Sequence, residues 1–163
     1  MRARQPRSKI TRQKWATGAI VRVPLGDYHT YAWMLAKFEF AFLDARSVAP
    51  LPPAEVASHP VLFRLWVMRS AYGGGRWPKI GAAPVPQALM RPVGRFIYDV
   101  IAKRFSITED GGVSRRPASL AECEPLECAA VWSAQHVEDR LRDHYAGVPN
   151  KWLESLRQHL TNG

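Results

Sequence analysis

Thirteen prolines and eleven glycines are spread through the 163 residues of this chain, and they constrain its fold more than any other feature. A proline removes a backbone donor and clashes with the preceding helical turn. Segments punctuated this often do not form a bundle of long helices, and their spacing favours short strands joined by turns. The longest uncharged run, Ile80 to Met90, holds Pro84 and Pro86 and falls far short of the ~20 apolar residues that cross a bilayer. No membrane span is expected.

The chain is 47% hydrophobic and 23% charged, near the globular average, so a single soluble domain is expected. The opening MRARQPRSKITRQKW lacks the apolar stretch of a secretory signal, which points to the cytoplasm. Cys123 and Cys128 are too few for a disulfide framework and read as free thiols. With His136 and His144 they match no common zinc spacing, so neither metal nor cofactor is expected.

From Gly18 to Leu25 the β-branched residues alternate and end near Pro24, which predicts a strand. Gly26-Asp27 makes a turn, Tyr28 to Ala36 a second strand, and Glu39 to Asp44 a third. Residues 48–60 carry four prolines and read as an irregular excursion. Val61 to Met68 is the most apolar stretch, and with its single charge it reads as a central strand buried on most of both faces, stopped by Gly73-Gly74-Gly75. Residues 94–108 fit two strands, or a strand and a helical turn, and Ser114 to Ser119 reads as a polar connector.

The period then changes. Val131, Ala134, Val137, Leu141 and Tyr145 form one helical stripe, with Gly147 placed as a left-handed cap and Pro149 beyond it. A second helix starts at Asn150 as N-cap and turns Trp152, Leu153, Leu156 and Leu160 inward. The expected class is therefore α+β, with a small twisted antiparallel β-sheet or SH3-like partly open barrel followed by two C-terminal helices.

The formal charge is +9. Arg2, Arg4, Arg7, Lys9, Arg12 and Lys14 lie in the first fourteen residues without an acid, so residues 1–14 read as a disordered basic arm and residues 15–163 as the domain. The segment from residue 119 to 146 is acidic instead. Glu138, Asp139 and Asp143 are expected on an exposed helix face that steers a basic partner. Among the tryptophans and tyrosines, Trp15, Tyr28, Tyr72 and Trp77 sit at element edges; Tyr72 and Trp77 are the candidate interface anchors. No nucleophile elbow, His-Glu-x-x-His pair or phosphate-binding loop is present, and His136 and His144 lack a supporting motif, so no catalytic residue is assigned.

The stretches GAIVRVPLGDYHTYAWML, EFAFLDAR, PVLFRLWVMRSAYGGGRWPKIG and ECEPLECAAVWSAQHVEDRLRDHYAGVPNKW cover most of residues 18–152. In their order they resemble the immunity protein 26 family of bacterial polymorphic toxin systems. The resemblance implies a non-enzymatic antitoxin that binds a cognate secreted toxin inside the producing cell; the acidic helix adds the expectation of a basic toxin, such as a nuclease. The alternative from the residues is a nucleic-acid-binding module using the arm and Arg64, Arg69, Arg76, Lys79, Arg91, Arg95, Lys103 and Arg104.

Overall fold

The two faces of one sheet account for most of the buried apolar residues, because its middle strands have no solvent side. A computed structural model describes residues 12–36 and 38–162. The first three strands, β1 (Ala19–Pro24), β2 (His29–Met34) and β3 (Glu39–Ser47), form the expected antiparallel meander. A single helical turn, α1 (Pro53–Val56), with proline at its first position, interrupts the excursion before β4 (Val61–Val67). A 3₁₀ turn at Arg69–Ala71 and the glycine run lead to β5 (Lys79–Ala82).

A short turn, α2 (Gln87–Met90), precedes a second sheet built on the hairpin β6 (Arg95–Asp99) and β7 (Arg104–Thr108), which settles the ambiguity of residues 94–108 as two strands. The polar connector contains a strand, β8 (Arg116–Ala118), paired with β7. Ser119 then caps α3 (Leu120–Cys123) through a reciprocal box with Glu122. After β9 (Glu127–Cys128) and β10 (Val131–Trp132) come α4 (Ala134–Ala146) and α5 (Lys151–Thr161).

The larger sheet runs β10-β4-β3-β2-β1-β5 and the smaller β8-β7-β6-β9. Pairing is antiparallel except at two short parallel contacts, β10 with β4 and β6 with β9. The class is α+β with two C-terminal helices, and the sheet is not closed into a barrel. The expected central position of β4 is corrected. It lies next to the edge and is only partly buried, while every residue of β2 is buried. Its apolar side chains are covered by cations: the Arg140 guanidinium lies 3.9 Å from the Phe63 ring centre and that of Arg95 lies 4.6 Å from Trp66.

Alternation along the meander divides the core. Ala32, Met34, Phe40 and Phe42 face α4 and α5, meeting Val137, Leu141, Trp152 and Leu156. Tyr31, Trp33, Ala41 and Leu43 face the other way, under Val56, Leu51, Val85 and Leu89. Phe96, Ile107, Cys123 and Leu160 make the smaller core beneath the second sheet. Both predicted caps are in place: Gly147 is left-handed at φ 69°, and the Asn150 side chain accepts from the Leu153 N–H.

Most of the arm, residues 1–11, lies outside the described residues. Its expected boundary at 15 falls too late. The Gln13 side-chain amide donates to the carbonyls of Tyr72 and Trp77, and its oxygen accepts from the Lys79 N–H, so the chain is already tied to the body there.

Candidate functional site: an apolar groove

Of the residues expected to face a partner, Glu138, Tyr72 and Trp77 are buried, and Asp139 and Asp143 are half-buried and bonded within the protein. The Glu138 carboxylate receives the Arg76 guanidinium through two bonds of 2.8 and 2.7 Å and the Trp77 indole N–H at 2.9 Å. Trp77 is 0% exposed, packed edge-on to Phe40 and Phe42. Tyr72 is buried against Trp15 and Phe40. Asp139 accepts from the Trp152 indole and from Arg142, and Asp143 accepts from the Asn150 side-chain amide. The expected acidic face is thus a set of fasteners: α4 ties Glu138 to the loop before β5, and Asp139 and Asp143 to α5 and its cap. Helical spacing placed these carboxylates on α4, but the use of Glu138 depends on Arg76 and Trp77, distant in sequence.

The basic surface is similarly reduced. Arg64 and Arg95 both bind Glu39, at 3.0 and 2.8 Å, and Arg76 binds Glu138. Arg140 holds Glu127 through two bonds and joins α4 to the second sheet. The histidines also have packing roles. His136 stacks on Trp152 at 3.6 Å, and His144 meets Tyr145 edge-on. Among the described residues no group of three histidine, cysteine or carboxylate side chains could hold a metal. Cys123 is buried, and burial pushes the Cys128 thiol up to about 11, away from the reactive thiolate form.

One outward-facing feature is apolar. A groove of about 830 Å³ opens where the two sheets meet, lined by Phe38, Trp66, Met68, Met90, Val113 and Val131, with Arg69 and Asp110 at its polar side. Phe38 ends the turn between β2 and β3, where the Glu39 N–H bonds the Ala36 carbonyl. Its φ is 60° and its side chain is 51% exposed. A left-handed backbone is an uncommon place for a bulky aromatic and costs on the order of 1–2 kcal/mol. Trp15 supports the ring from one side at 6.2 Å.

Asp110 is consumed by Ser114 and Thr108, whose bonds hold its carboxyl below its usual value. Glu39 is consumed by its two arginines. Arg69, also at the groove, makes no ion pair among the described residues. The groove therefore combines an apolar trough with one available guanidinium.

Sequence reasoning missed this site because its walls come from five separate segments, none amphipathic by itself. The single local signal was Phe38, a large aromatic at a turn position flanked by charge. No family model, curated protein or solved structure matches this chain. Among the described residues, no helix is long and apolar enough to cross a membrane.

Proposed function

We propose that this protein is an immunity protein, a non-catalytic antitoxin that binds a cognate protein toxin and blocks it in the cell that makes both. The segment pattern over residues 18–152 resembles the immunity protein 26 family. The observation that carries the binding role is Phe38, an aromatic held left-handed and half exposed on the rim of an apolar groove. Backbone strain persists where the surroundings impose it, and it clusters at ligand clamps and similar functional sites. Large exposed aromatics and methionines together are characteristic of protein-binding surfaces.

The occupant fits an apolar segment of the toxin that carries a carboxylate opposite Arg69. The argument for a basic toxin rested on Glu138, Asp139 and Asp143, and it falls with their internal use.

The test begins with tagged full-length chain incubated with nuclease-treated lysate of its own host and washed at about 0.3 M salt, which weakens phosphate-driven binding. The protein retained at equal stoichiometry is then expressed alone and together with this chain. Toxicity alone and growth on co-expression support the reading. A retained protein that is harmless alone, or retention of nucleic acid in its place, overturns it. Phe38→Gly supplies a residue at ease in the left-handed region and removes the ring. It should keep or raise the thermal midpoint while weakening toxin binding at least about tenfold, roughly 1.4 kcal/mol.

A further inference from the structure

The hairpin joining β6 and β7 ends in a feature that folding does not require. Its four-residue loop, 100–103, carries Val100 at 66% and Ile101 at 96% exposure. Central turn positions are ordinarily taken by small or polar residues, and single exposed aliphatics need no explanation. Here two consecutive β-branched side chains stand on a tip that is held still. The Asp99 carboxylate accepts the N–H groups of Ile101 and Ala102, each at 2.9 Å. Lys103 closes the loop in the left-handed region at φ 51°. Behind the tip, Tyr98 is fixed between Phe105 at 4.8 Å and the stacked His159 ring at 4.0 Å.

The charge around the tip has one sign to offer. Lys103 and Arg104, at the end of the loop, are exposed cations, and the nearby carboxylate of Asp99 is occupied by the turn. An apolar point flanked by two cations complements an apolar pocket with a carboxylate rim. The strand that carries it begins at Arg95, against Glu39 and Trp66 of the groove wall. Five residues at ~3.3 Å each set the start of the tip about 17 Å further on, within the footprint of an ordinary interface of ~800 Å² per partner.

We propose that the Val100–Ile101 tip is a second contact for the toxin, a preformed wedge that enters an apolar pocket rimmed by carboxylates. This rests on the immunity reading, but it concerns a surface separate from the groove. A wedge already ordered in the free protein avoids the entropy of ordering on binding.

The probe is the protein retained by the wild-type chain in the experiment above, purified. Binding is measured by surface plasmon resonance against wild type and the double variant Val100→Ser/Ile101→Ser, with Val148→Ser as an exposed aliphatic control elsewhere on the surface. The double variant should raise Kd at least about tenfold with an unchanged thermal midpoint, because both positions lie outside the core. The control should bind as wild type does. Lys103→Asn keeps a residue that tolerates the left-handed backbone and removes the charge; it should slow association and flatten its salt dependence. A double variant that binds like wild type overturns the wedge and leaves the immunity reading standing on Phe38. If the wild-type chain retains no protein at all, both fall.

Discussion

Glu138 shows how one carboxylate can be legible by position and misread in role. Its place on α4 followed from the helical stripe, yet its side chain lies between Arg76 and Trp77, about sixty residues away in sequence. Removing it strands a buried indole N–H, while the half-exposed Arg76 regains water. Glu138→Ala should therefore cost about 2–3 kcal/mol in urea unfolding, most of it the unsatisfied donor, and Glu138→Gln should cost less because an acceptor remains. His29 provides a pH-dependent case. Its ring bonds the Tyr31 hydroxyl and Ser47, and burial, aided by the Arg22 charge, lowers its pKa from 6.5. The folded ring stays neutral where the unfolded one takes up a proton, so the unfolded state binds more protons and stability falls on acidification. That loss begins near the unfolded value and is complete below the folded one. Between about pH 7.5 and 5.5 the thermal midpoint of wild type should drop, and that of His29→Gln should drop less. An identical drop in both proteins would show that His29 is not the group responsible.

At the scale of elements, the meander and the two helices were readable because each carries its own period and its own stops. Alternation over Ala19–Pro24, the Gly147 cap and the Asn150 cap are local properties of the chain. Val131 shows the limit of that reasoning. It fits the helical stripe by spacing but belongs to β10, because Ser133 caps the helix after it and Trp132 pairs with Val67. The strand β4 looked central because it is apolar, but part of its cover comes from the guanidinium planes of Arg95 and Arg140, which no hydrophobic pattern reports. In the same way, β8 was hidden in a polar connector. An edge strand of three residues carrying Pro117 has a strand's pairing without a strand's composition.

For the whole molecule, the decisive joint is Glu39. It lies in the larger sheet, binds Arg64 beside it and reaches Arg95 of the smaller sheet, which is 1% exposed. Burial of that guanidinium lowers its pKa, and the Glu39 charge opposes the shift. Glu39→Ala leaves the buried cation unpaired and should cost about 3–5 kcal/mol. Amides of Phe96 and Ile107 should lose hydrogen-exchange protection before those of Tyr31 and Ala32; equal loss in both sheets would show that the joint does not couple them. By itself, the sequence determined the α+β class, the opening meander, the helices and their caps, because hydrophobic period and capping chemistry act between near neighbours. Only the tertiary structure decided which charges are spent internally and where the groove and the exposed tip stand. Those depend on side chains that meet across long loops, and spacing along the chain carries no record of such meetings.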